Sequence, residues 1–136
     1  MKTQVEFIAM HRIVNALDRK TANMVRPYGL TLPQFSVMEA LYHRGNLSVG
    51  ELKEIVLSSD GTLPVVTRHL AEMGFLRTEK DEKDRRRTLL SLTEEGRSLI
   101  GKIYPENEKM MEDFFSQWTD EERGTARRLL LKLDRG

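Results

Sequence analysis

The residues best equipped for chemistry are the cations Lys83, Arg85, Arg86 and Arg87, crowded into the loop Asp81-Glu-Lys-Asp-Arg85 and the two positions after it. Two short strand candidates, Phe75 to Lys80 and Arg87 to Leu92, flank that loop. In the second, Thr88, Leu90 and Leu92 share one face by two-residue alternation. Asp81 and Asp84 lie close enough to hold an arginine by a charge-assisted hydrogen bond. An arginine on a projecting hairpin suits a narrow minor groove, where negative potential is concentrated. A charged turn that only blunts an edge strand has the same composition, so the elements ahead of it must decide.

Those elements are two helices. Ser48-Val-Gly-Glu51 is a capping box that starts a short helix to about Val56. Ser58-Ser-Asp-Gly61 is a turn, and a second helix spans about Thr62 to Met73, with Gly74 at its stop. Leu63, Val66, Leu70 and Met73 form the stripe that packs inward. Thr62, Pro64, Val65, Arg68 and His69 then face out. Thr62 and Val65 bring a hydroxyl and methyl groups suited to base edges, and Arg68 reaches guanine or phosphate. An ordinary amphipathic helix with a solvated face would show the same spacing. Helix, turn, helix and basic hairpin in succession form a winged helix-turn-helix.

The flanking segments read as scaffolding. Residues from about 4 to 27 form one helix, apolar over an arc wide enough to be buried against more than one neighbour, and ended by Pro27 and Gly29. Thr31-Leu-Pro-Gln34 is a capping box opening a helix through about Tyr42. The helix after Thr93 carries apolar doublets, Leu99-Ile100, Ile103-Tyr104, Met110-Met111 and Phe114-Phe115. One member of each pair serves the core and the other a second subunit. Pro105 is expected to kink or split this helix. Thr119-Asp-Glu-Glu122 caps a last helix bearing Ala126, Leu129, Leu130 and Leu133.

At 136 residues the chain has the length of a single domain. Its formal net charge is only +1, so a basic surface must be local. Residues 48–92 hold 8 basic and 8 acidic side chains, yet four of the cations share one loop. There is no cysteine, which excludes a disulfide framework, a thiolate metal site and a thiol switch. The first twenty residues are broken by charge too often for a signal peptide or membrane span, so a soluble cytoplasmic protein is expected. His11, His43 and His69 are too scattered for a zinc site, and no cofactor is expected. Ser58 and Ser59 lie far in sequence from any histidine with an obvious partner, there is no Gly-rich phosphate loop, and Asp81, Glu82 and Asp84 lack an EF-hand's glycine and distal glutamate. An enzyme is not expected.

The segment DEKDRRRTLLSLTEEGR closely resembles the wing signature of the MarR (multiple antibiotic resistance regulator) family: an aspartate and arginines, a hydrophobic strand, then Leu92-Thr93-Glu94-Glu95-Gly96. SDGTLPVVTRHLAEMGFLR is similar to that family's recognition helix, closing on Leu70 and Gly74-Phe75. The resemblance implies an α+β, mostly α fold: a winged helix-turn-helix over residues 31–96, with dimerisation helices at 1–30 and 97–136, all within one domain spanning 1–136. It implies a homodimeric regulator on a pseudo-palindromic operator in double-stranded DNA, probing the major groove with Thr62, Pro64, Val65, Arg68 and His69. Lys83, Asp84, Arg85 and Arg86 would form the wing, Arg86 entering the minor groove with Asp84 as its support. It further implies a repressor released by a small aromatic or lipophilic effector, with Met10, His11, Val14, Met38, Tyr42 and His43 as candidate lining of its cleft. A well-packed core with two partly exposed histidines would use these residues equally well. The different-class alternative is a winged-helix module for protein–protein contact, its wing docking on an acidic partner.

Overall fold

The fold was analysed in a computed structural model, which describes residues 2–56 and 62–135. Helix α1 (Lys2–Val25) leads through a 3-10 turn (Arg26–Tyr28) to α2 (Leu32–Arg44). Strand β1 (Leu47–Ser48), α3 (Val49–Ile55) and α4 (Leu63–Glu72) come next, then β2 (Leu76–Lys80) and β3 (Thr88–Leu92). Helices α5 (Glu94–Phe115) and α6 (Asp120–Arg135) complete the chain. The expected turn Ser58–Gly61 lies outside the described residues. No helix among the described residues is long and apolar enough to cross a membrane.

Local chemistry sets the helix starts. In α2 the Thr31 hydroxyl accepts from Gln34 N–H at 3.3 Å, while Gln34 accepts from Thr31 N–H at 3.0 Å. The same reciprocal pair caps α3 through Ser48 and Glu51, and α6 through Thr119 and Glu122. Each box satisfies two N–H groups that a helix end otherwise leaves without partners. At the start of α5, Thr93 Oγ1 accepts from Gly96 N–H at 3.0 Å. Pro105 lies inside α5 and does not split it. A proline removes one ladder hydrogen bond, and here the turns on both sides carry the helix.

The chain packs as two compact units, one through Tyr104 and one from Pro105 onward. The core of the first gathers Phe35, Val37, Met38 and Leu41 from α2, Leu52 from α3, Leu63 and Leu70 from α4, Leu90 from β3, and Ile100 and Ile103 from α5. Each side chain of this size, fully buried, contributes about 1.5–3 kcal/mol. One inward assignment needs correction. Met73, expected in the α4 stripe, is 42% exposed. It follows the last helical residue, and Gly74, at φ +86°, turns the chain away before Met73 can pack. Along α1, Val5, Phe7, Ile8, Met10, Ile13 and Val14 are all exposed within the single chain, where burial is confined to the C-terminal part, at Thr21 and Val25.

The sheet also differs from the expected two-stranded hairpin. Its order is β1-β3-β2, all antiparallel, with Leu47 opposite Leu90 and Ser48 opposite Leu89. Two residues are too few to show alternation, so β1 left no periodic signal.

Candidate nucleic-acid interface

Helix α4 is held by one face. Leu63 and Leu70 are fully buried, Val66 is 9% exposed, and the Thr67 hydroxyl turns back to donate to the Pro64 carbonyl at 3.1 Å. Thr62, Pro64, Val65, Arg68 and His69 are consequently all exposed, as the spacing predicts. Arg68 lies 3.9 Å from Glu72 one turn on, a loose pairing that keeps its stem along the helix. This outer face offers methyl groups, a hydroxyl, a ring and a guanidinium, the kinds of group that read base edges.

The hairpin between β2 and β3 is built by two aspartates. Asp81 accepts from Lys83 N–H at 2.9 Å, and Asp84 from Arg86 N–H at 3.1 Å, so each carboxylate bends the chain locally. Asp84 then takes the Arg86 side chain as well, with Nε at 3.1 Å and Nη2 at 3.5 Å from its two oxygens. Hydrogen bonds from the Arg86 side chain, then from its backbone, hold the Asp84 carboxyl below the usual carboxylate range. Arg86 itself has a side chain 92% exposed, a cation aimed by its neighbour yet open to solvent. Lys83 and Arg85 are also exposed.

The hairpin is anchored at its base. Thr93 N–H donates to the Phe75 carbonyl at 3.0 Å, and Thr93 Oγ1 donates to the Gly74 carbonyl at 2.6 Å. A Cβ on Gly96 would stand 2.2 Å from that same Phe75 oxygen, so only glycine permits the approach. Sequence reasoning read Thr93 as the start of the helix that follows and placed Thr93 and Gly96 in a motif, but gave neither a part in anchoring the hairpin. It counted Arg87 among the loop cations without a separate role, whereas its side chain turns from the hairpin to Glu51.

The six residues read as candidate cleft lining are dispersed. Met10, His11 and Val14 are exposed on α1, His11 edge-on to Phe7 at 4.6 Å. Met38 is fully buried in the core. Tyr42 and His43 do come together, 5.3 Å apart, and both rings meet Tyr104, while Arg97 lies 5.8 Å over Tyr42. His43 also lines a groove of about 370 Å³ with Ser36, Glu39, Ala40, Arg44 and Ile55, which none of the other five enters. Burial raises the Glu39 carboxyl, with His43 opposing the shift.

A short helix, a packed second helix with a polar outer face and a basic-tipped hairpin define a winged helix-turn-helix DNA-binding protein of regulatory type. A family described as transcriptional regulator SarA/Rot matches residues 20–103. The chain belongs to this family of winged-helix regulators, not enzymes, and solved MarR family regulators share its fold. It is 26% identical over 116 residues to the HTH-type transcriptional regulator MhqR of Bacillus subtilis, covering 85% of this chain and 80% of MhqR. The structure of Bordetella bronchiseptica BpsR, whose DNA binding is regulated by 6-hydroxynicotinic acid, is similar at a TM-score of 0.82 and 25% identity, over 94% of this chain and 91% of BpsR. The Staphylococcus aureus MepR–DNA complex shares the fold at a TM-score of 0.82 and 20% identity, over 93% of each chain.

Proposed function

We propose that the protein is a homodimeric, sequence-specific repressor that occupies a promoter and is released by a small aromatic or lipophilic ligand. The observation that carries the DNA contact is Arg86, exposed at the hairpin tip and oriented by Asp84. It would enter the minor groove while Thr62, Val65, Arg68 and His69 read the major groove. Repression is then steric. The similar MepR was solved on DNA, and a small aromatic acid regulates BpsR, which supports both halves of the reading. For such an acid, the clustered rings of Tyr42, His43 and Tyr104 with Arg97 alongside supply stacking faces and a cation.

The dimer rests on apolar surface. Val5 at 67% and Phe7 at 58% exposed on α1, and Leu133 at 71% on α6, are costly to leave in water. Several large apolar side chains left exposed along α1, and separately along α6, favour an interface on each helix. Two symmetric recognition helices then fit half-sites roughly one helical turn apart. Phe7→Glu combined with Val14→Glu removes two apolar side chains, each about 1.5–3 kcal/mol when buried. Sedimentation equilibrium should show monomer at concentrations where the parent is dimeric; an undisturbed dimer would move the interface off α1.

The function itself is tested by selection from a random duplex library, with the winner titrated against salt. The reading requires one pseudo-palindrome bound far more tightly than other sequences, with affinity falling steeply as salt rises. Weak binding without sequence preference would instead favour an acidic protein partner for the wing.

A further inference from the structure

The consecutive arginines of the hairpin divide their work. Arg85 and Arg86 stand in solvent, whereas Arg87 turns back on its own chain. Its Nη2 donates to Glu51 Oε1 at 2.7 Å, and its Nη1 lies 3.8 Å from Asp81 Oδ2. Glu51 is the residue that closes the α3 capping box, and the same Oε1 accepts from Ser48 N–H at 3.0 Å. Ser48 pairs with Leu89 in the sheet. The Arg87 backbone is fixed as well, its carbonyl accepting from Asp81 N–H at 3.1 Å and its N–H donating to the Asp84 carbonyl at 2.9 Å. One side chain thus joins the root of the wing loop to the first turn of the helix-turn-helix.

We propose that Arg87 is a positioning residue, whose bridge to Glu51 fixes the wing against α3 and thereby sets where Arg86 meets DNA. It makes no DNA contact itself. The proposal rests on the DNA-binding reading above. Three features favour it over a phosphate contact. The guanidinium is already committed to two carboxylates of its own chain. Those carboxylates come from different elements, so the bridge restrains an angle and not a single loop. The Glu51 carboxyl is held below its ordinary range, first by Ser48 and then by Arg87, so it remains an anionic acceptor throughout the neutral range.

The test uses the full chain and the selected duplex, with Arg87→Met, Glu51→Gln, the double variant and Arg87→Lys. Glutamine keeps an acceptor for Ser48 N–H, so the cap survives. Each of the first two single changes should weaken specific binding about three- to fivefold, as expected of an exposed ion pair. The double variant should lose no more than either alone, and Arg87→Lys should recover most of the affinity. The dependence of log affinity on log salt should stay parallel to the parent. If Arg87 held a phosphate, the slope would become shallower by about one per subunit and Glu51→Gln would cost nothing; that result overturns the proposal. Additive losses in the double variant overturn it too. Tight parental binding untouched by all four variants sinks the positioning role alone, whereas a parent with no preferred duplex removes the DNA-binding reading and Arg87's task with it.

Discussion

Replacing Arg86 by alanine is expected to lower affinity for the selected operator by roughly two to three orders of magnitude, while leaving the protein folded. A hydrogen bond to a charged group is worth about 1.5–3 kcal/mol, and the proposed symmetric dimer would place one wing on each half-site. The side chain is exposed and packs on no core element, so its loss should not change the melting temperature. Asp84→Ala keeps the cation but releases its aim, and should cost less than Arg86→Ala at an unchanged salt slope. The sign of the pH dependence comes from the same pair. The Asp84 carboxyl titrates below its unfolded value in the folded chain. Its support is therefore complete above the ordinary carboxylate range and is lost only as pH falls through the lowered value. Fluorescence anisotropy across acidic pH, with Asp84→Asn as control, checks this. Undiminished binding by Arg86→Ala would remove the wing from the mechanism.

The largest stability loss should come from Gly96→Ala. Alanine in a helix is ordinarily favoured over glycine by about 0.5–1 kcal/mol. Here the added methyl would meet the Phe75 carbonyl oxygen at 2.2 Å, its carbon at 3.1 Å and Leu92 Cδ2 at 3.2 Å. Backbone has to move, and the displaced carbonyl is the acceptor for Thr93 N–H. Overpacking at about 1–3 kcal/mol and a weakened hydrogen bond at about 1 kcal/mol together outweigh the propensity gain. The melting temperature should fall by roughly 5–10 °C at fixed protein concentration. An equal or higher melting temperature would mean that the turn after α4 yields without cost. Operator affinity should fall along with it, because the displaced turn links α4 to the hairpin.

What could be read in advance was what neighbouring residues decide among themselves. The three capping boxes are signals four residues long, and each forms the reciprocal hydrogen bonds that its spelling implies. The outward face of α4 follows from a one-helix stripe. Arg86 and Asp84 sit two positions apart and find each other. What stayed hidden depends on distant partners. Nothing local separates Arg87 from the two arginines before it; only Glu51, thirty-six positions upstream, does so. Met73 fits the α4 stripe on paper, but the helix ends one residue too early to bury it. Met38 and Tyr42 share a helix with similar apolar character, yet one lies in the core and the other joins a partly exposed ring cluster.

The pairing of Leu47–Ser48 with Leu89 and Leu90 also carries a consequence for the order of assembly. Strands β2 and β3 are joined by a short loop and can zip locally, within microseconds. β1 must wait for a partner far along the chain, and closing that intervening loop carries an entropic cost that grows with its length. During synthesis from the N-terminus, α2, α3 and α4 emerge while the strand that will complete their sheet is still unmade. Helix α4 therefore lies inside a loop that closes only after β3 has been made. Changes that slow formation of the β2–β3 hairpin should delay the whole reading head, even when they touch none of its helices.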